Sequence, residues 1–176
     1  MACPMLDIEP LTKENFRPFG EVIETADARQ IAINQGTTTR FDALCSVDVS
    51  DGGGLPIISV FRGNRRATPI DIMLVERHPL GSQAFMPLSD HDWLVVVASA
   101  AADSDRPDFA SLKCFLASGT QGVNYYKGTW HHPLLVLVPT QDFMVVDRQG
   151  DGHNLDEVWV DEPAARIDIS ALINPA

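Results

Sequence analysis

Apolar residues along this chain come in short runs, and polar or turn-forming residues separate them. The runs Ile57 to Phe61, Ile70 to Val75, Gln83 to Leu88, Trp93 to Ser99, Leu112 to Ala117, Leu134 to Val138 and Phe143 to Asp147 are each of strand length. Between them stand Gly63-Asn64, Pro79-Leu80-Gly81, Ser89-Asp90, Gly119, Lys127-Gly128 and Pro139, residues that supply the backbone angles turns require. This spacing is that of an antiparallel sandwich or barrel, and helix-period segments are scarce. Near the start, Thr12 precedes Lys13, Glu14, Asn15 and Phe16, and Pro18 and Gly20 follow, which predicts a capped helix of one or two turns. The fold is therefore expected to be mainly β, an antiparallel β-barrel with a few short helices. A closed barrel hides its edge strands and leaves room for a ligand. A sandwich without an internal pocket has the same periodicity, so residues with chemistry must separate the two.

With 176 residues the chain can bury one core, and the Gly52-Gly53-Gly54 run reads as a turn rather than a linker, so residues 1–176 are expected to form a single domain. Lys plus Arg total 13 against 24 Asp plus Glu, a formal net charge of -11. Such a surface repels phosphate backbones and anionic membranes, which excludes nucleic acid and membrane as expected partners. It binds a small anion only where cations gather locally. Cys3, Cys45 and Cys114 are odd in number and lie in no CxxC spacing, as expected of reduced thiols. No basic start with a long apolar run marks a secretion signal, and a cytoplasmic location is expected.

Two polar clusters interrupt the strand pattern, Glu76 to Phe85 and Gly122 to Pro133. Residues two apart on a strand share a face, so Glu76 and His78 can both point inward while Arg77 points out. A lone histidine usually serves packing, but Glu76, His78, Gln83 and His131 together resemble the dispersed ligand set of a cupin barrel. Glu76 stands where a metal-binding cupin usually has histidine, and Gln83 where it usually has glutamate. Neutral Gln is the weaker ligand, so a loosely held divalent ion is expected rather than a tight one. Arg40, Arg62, Arg77 and Arg148 are candidates to grip a carboxylate through two parallel hydrogen bonds. Arg65 and Arg66 read as surface charge, His132 as facing away from His131, His91 and His153 as exposed loop residues, and Trp93, Trp130 and Trp159 as core or interface anchors. No GxSxG, HExxH, phosphate-loop or dinucleotide fingerprint is present.

The strings Glu76-Arg77-His78-Pro79-Leu80-Gly81-Ser82-Gln83-Ala84-Phe85, Gln121-Gly122-Val123-Asn124-Tyr125 and Trp130-His131-His132-Pro133-Leu134 resemble the diagnostic segments of the ureidoglycolate lyase family. Phe19 to Ile23, Ile33 to Gly36 with Arg40, Asp142-Phe143 and Asp147-Arg148 support the match. The resemblance implies a cupin-like barrel, a homodimer, and cleavage of (S)-ureidoglycolate to glyoxylate and urea in allantoin breakdown. It also implies an assisting divalent metal, with nickel, manganese and zinc as candidates. On this reading Arg148 or Arg40 holds the substrate carboxylate, with Gln83, Tyr125 and Asn34 as further substrate contacts. His131 or Glu76 takes the hydroxyl proton, and Lys127 or His78 protonates the departing urea. With a metal bound, Glu76, His78, Gln83 and His131 become its ligands. The alternatives are an amidohydrolase releasing ammonia, and a non-catalytic cupin that binds a small acidic metabolite.

Overall fold

The computed structural model describes residues 3–174. In chain order the strands are β1 (Ile8–Pro10), β2 (Gly20–Ile23), β3 (Arg29–Ile33), β4 (Thr38–Asp42), β5 (Leu55–Asn64) and β6 (Ile70–Ile72). They continue with β7 (Leu74–Arg77), β8 (Gln83–Pro87), β9 (Trp93–Ala98), β10 (Lys113–Ala117), β11 (Gly122–Tyr125) and β12 (Trp130–His131). The last are β13 (Leu135–Val136), β14 (Thr140–Gln149), β15 (Asp156–Trp159) and β16 (Ala165–Ile167). Two short helices, α1 (Lys13–Phe16) and α2 (Ser170–Ile173), lie near the ends. No helix among the described residues is long and apolar enough to cross a membrane.

A seven-stranded sheet runs β1-β10-β9-β12-β7-β15, with β13 also paired to β9, and a five-stranded sheet runs β2-β11-β8-β14-β5. The mainly β, cupin-like expectation holds, but the barrel is not closed. The larger sheet ends at β1 and β15 and the smaller at β2 and β5, with no ladder joining them among the described residues. Closure needs continuous pairing around the wall, and the two sheets instead face each other as an open sandwich.

Burial explains the apolar runs. In β9 every residue is buried: Trp93, Val95 and Val97 enter a core between the sheets, while Leu94, Val96 and Ala98 enter a second core behind the larger sheet. A strand covered on both faces reads as a continuous apolar run rather than an alternating one. Phe16, Phe85, Phe115, Phe143 and Val145 complete the first core, and each aromatic side chain contributes roughly 1.5–3 kcal/mol by leaving water. Ile70, Ile72, Ala165 and Ile167, from the long-range antiparallel pair of β6 and β16, cover the second. The run expected over Ile70 to Val75 is thus two strands with different partners: β6 pairs with β16, and β7 pairs with β12 and β15.

The expected helix is α1, where Thr12 Oγ1 accepts from Asn15 N and Asn15 Oδ1 accepts from Thr12 N. It carries the fully buried Phe16 onto Phe115 and Tyr125. The hairpin β3–β4 pairs with nothing but itself, and residues 32–41 are exposed on both of its faces. The segment from Leu44 to Val49 runs along the outer face of the smaller sheet, bonded to Glu21, Asn124 and Ser82.

Candidate functional site

The alternation that builds the first core also builds the site. On the smaller sheet the inward positions are Val123 and Tyr125 of β11, Gln83 and Phe85 of β8, and Phe143, Val145 and Asp147 of β14. At one end of the sandwich these positions change from aromatic to polar, giving Gln83 and Asp147. On the facing sheet the same end carries Glu76, His78 and His131, with Glu76 opposite His131 in the β7–β12 ladder.

One ligand atom from each of Glu76, His78 and His131 lies within 4.8 Å of the others, so this trio can hold a metal ion. His131 Nε2 is 3.6 Å from Glu76 Oε1. Each imidazole is fixed from behind by a backbone carbonyl, which can only accept. His78 Nδ1–H therefore donates to Asn154 O at 2.8 Å, and His131 Nδ1–H to Thr129 O at 2.9 Å. Both Nε2 atoms are left as buried lone pairs with no hydrogen-bond partner. Gly128, at φ +80, makes the turn that precedes Thr129, and its N–H donates to His78 O at 2.9 Å, linking the two histidine segments. Tyr125 stacks flat on His131.

Burial raises the Glu76 carboxyl, but the adjacent His131, with His78 and His132, outweighs it and holds the group below the ordinary range. Burial lowers His78, and the neighbouring His131 lowers it further, which keeps its imidazole neutral at neutral pH. Burial raises the Tyr125 phenol, as does the charge of Glu76, so it stays protonated. Gln83 Nε2 donates to Asp147 Oδ2 at 3.4 Å, while Gln83 Oε1 and Asp147 Oδ1 are buried without partners. Among the described residues, no lysine or arginine is hydrogen-bonded or ion-paired with Glu76, His78, His131, Gln83 or Asp147.

The other expected site residues lie elsewhere. Lys127 Nζ sits between Asp51 (2.7 Å) and Asp48 (3.2 Å). Arg148 faces outward on β14, and its Nε and a terminal nitrogen donate to Asp51 O while that nitrogen also reaches Asp151 O. Gly54 and Gly81 lie so close to it that a Cβ on either would collide with the arginine side chain. Arg77 points away from Glu76 and His78, lies 4.6 Å over the Trp130 ring and pairs with Asp105 and Asp156. Arg62 pairs with Asp142. Arg40 and Asn34 are on the β3–β4 hairpin, Arg40 bound to Asp42 at 2.7 Å and Asn34 Nδ2 to Thr38 Oγ1 at 3.3 Å.

His132 is buried with Nδ1 on Pro133 O. Trp93 and Trp130 are core residues, whereas Trp159 is 63% exposed. The three cysteines are unpaired. Three groups at the site were not singled out from sequence: Asp147, and the carbonyls of Asn154 and Thr129. Asp147 had a readable signal, since it falls in phase with Phe143 and Val145 as the one acid on the inward face of β14. The carbonyls had none, because backbone groups carry no residue identity.

Comparison with known proteins gives a consistent result. A family model described as Ureidoglycolate lyase matches residues 3–167. The chain is 55% identical over 152 residues to a ureidoglycolate lyase of Burkholderia mallei (strain NCTC 10229), covering 86% of this chain and 87% of that protein. It is 51% identical over 158 residues to Ureidoglycolate lyase 1 of Rhizobium meliloti (strain 1021), covering 90% and 91%. A Brucella melitensis ureidoglycolate lyase (biotype 2, strain ATCC 23457) is 49% identical over 169 residues, covering 96% and 97%.

Proposed function

The chain belongs to the ureidoglycolate lyase family, and we propose that it cleaves (S)-ureidoglycolate to glyoxylate and urea at the interior site of Glu76, His78 and His131. The observation that carries this reading is the posture of the two imidazoles, each anchored through Nδ1 so that both Nε2 lone pairs meet a carboxylate.

Ureidoglycolate bears a carboxylate, a hydroxyl and a ureido nitrogen on one carbon. When the hydroxyl loses its proton, its bonding electrons form the carbonyl of glyoxylate. The carbon–nitrogen bond breaks, its electrons stay on nitrogen, and a proton there completes urea. No water enters the balance. Asp147 is suited to take the hydroxyl proton and return it to nitrogen, since one oxygen is free while Gln83 steadies the other. Arg148 is committed to loop carbonyls, which leaves the substrate carboxylate to Arg40.

The donor set fits a divalent cation: two anchored imidazoles with orphaned Nε2 atoms, a carboxylate, and the unpartnered Oε1 of Gln83. Glu76, His78, His131 and Gln83 would hold nickel, manganese or zinc, and the ion would supply positive charge that eases ionisation of a bound hydroxyl.

We further read the protein as a cytoplasmic homodimer of single-domain subunits. Ile58, 72% exposed, and Val60, 60% exposed, form an apolar strip with Met144 on the outer face of the smaller sheet, a surface that favours a partner.

The test is product analysis. Purified protein with racemic ureidoglycolate should release glyoxylate and urea in equal amounts, faster than spontaneous breakdown. Ammonia in place of urea would mean an amidohydrolase, and binding without turnover a non-catalytic cupin.

A further inference from the structure

We propose that the β3–β4 hairpin acts in trans: in the dimer it reaches the second copy of the chain and presents Arg40 to that copy's site. The inference rests on the lyase reading given above.

Three observations carry it. First, the hairpin pairs with no other strand, and residues 32–41 are exposed, although Ile31 and Ile33 point to one face and Phe41 to the other. A two-stranded hairpin with both faces in water is marginal, so its apolar residues call for cover that its own body does not give. Second, charge is complementary between the arm and the site. The arm carries Arg29 and Arg40 against the single Asp42, which both of them share, at 3.8 Å and 2.7 Å. The site holds Glu76 and Asp147, and among the described residues no lysine or arginine of its own chain is paired with either. A carboxylate substrate bound beside two acids needs a cation, and the arm has one to spare. Because arm and site occur on every copy, a second copy satisfies both at once through an isologous contact.

Third, the surfaces are continuous. The arm joins the body at Leu44 to Val49, which lies along the outer face of the smaller sheet. The apolar strip of Ile58, Val60 and Met144 lies on that same outer face, and β5, which carries most of it, is an edge strand of the sheet. Ile58 is next to Ile57, which turns to the inner face opposite Asp147, so the strip and the site lie on the two sides of that edge strand. An arm laid along a partner's strip has that partner's site across one edge strand.

The experiment uses full-length chains. Arg40→Ala alone should lower kcat/KM about tenfold to a hundredfold, as expected for loss of a charge-assisted pair, and His131→Ala should be inactive. Copies carrying Arg40→Ala and His131→Ala, each with its own affinity tag, are co-expressed and purified through both tags. In trans action each mixed dimer has one whole site, so about half of the wild-type activity returns. A mixed dimer no more active than the Arg40→Ala enzyme, or an Arg40→Ala enzyme equal to wild type, overturns the proposal. Sedimentation gives a readout independent of turnover. Wild type should sediment as a dimer and the double variant Ile33→Glu, Phe41→Glu as a monomer, and a dimer unaffected by both charges overturns the arm contact. If wild type turns over no ureidoglycolate, the lyase reading fails, while sedimentation still decides the arm.

Discussion

His131 and Tyr125 lie face to face, their ring centroids 4.1 Å apart and their planes 11° from parallel. Together with the carbonyl of Thr129 on Nδ1, the stack restrains the imidazole in both tilt and rotation. Tyr125 is itself fixed by Phe16 and Phe85. The aromatic core thus extends without a break to the His131 imidazole of the proposed site.

Replacing Tyr125 by Leu should remove the stack while keeping an apolar side chain. Stability should fall by about 1–3 kcal/mol, and kcat should fall with it because His131 gains freedom. Phe in its place retains the ring and should retain most of both. Thermal denaturation and steady-state kinetics on the two variants check this.

Asp147→Asn preserves shape and removes the base. The expected loss is about 10²–10⁴-fold in kcat, with KM and the unfolding midpoint little changed. A variant with nearly full turnover would remove Asp147 from the proton path.

Changing His131 or His78 to Ala should abolish binding of added nickel, manganese or zinc to the purified protein, measured by calorimetry and by metal analysis. Gln83→Ala should weaken binding less, by roughly tenfold, because a neutral amide oxygen is the poorest donor of the set. Wild-type affinity in the His78 variant would show that the trio is not the metal centre.

Arg148→Ala should act on stability before catalysis. It strands Asp51 O and Asp151 O and leaves a void between Gly54 and Gly81, a loss of about 2–4 kcal/mol. Chemical denaturation should reveal it. A variant of unchanged stability with raised KM would return Arg148 to the substrate.

Burial pulls His132 down from 6.5 to about 4. The unfolded chain binds the proton near pH 6.5 and the folded one does not until about 4, so stability present at neutral pH is lost as pH falls across that window. By the cost of one pKa unit, this amounts to roughly 3 kcal/mol. Glu76 adds to it in the same direction, since its lowered carboxyl favours the folded state above its ordinary range and loses that advantage on acidification. Denaturant midpoints from pH 7 to pH 4 should decline, and less steeply in His132→Asn.

The β character was legible because β8, β9 and β10 bury most of their side chains as short apolar runs and β14 buries near-alternate ones. The two-residue strand β12 was not, since its backbone is held by β7 and β9 rather than by any local pattern, while β13 falls within the expected run Leu134 to Val138. The inward direction of Glu76 and His78 followed from their spacing on one strand. The distance from that pair to Lys127 or Arg148 did not, because those side chains are drawn off by Asp51 and by loop carbonyls far away in sequence. The β3–β4 hairpin left little trace because it buries neither face within its own chain. Barrel closure was likewise unreadable, as edge pairing between sheets is a property of the whole wall.

Gly54 and Gly81 press against Arg148 so tightly that neither tolerates a methyl group. The three positions therefore form a lock in which no member can change alone: a larger residue at either glycine expels the arginine, and a smaller residue at 148 opens a hole that the glycines cannot fill. Over evolutionary time they should drift only in concert.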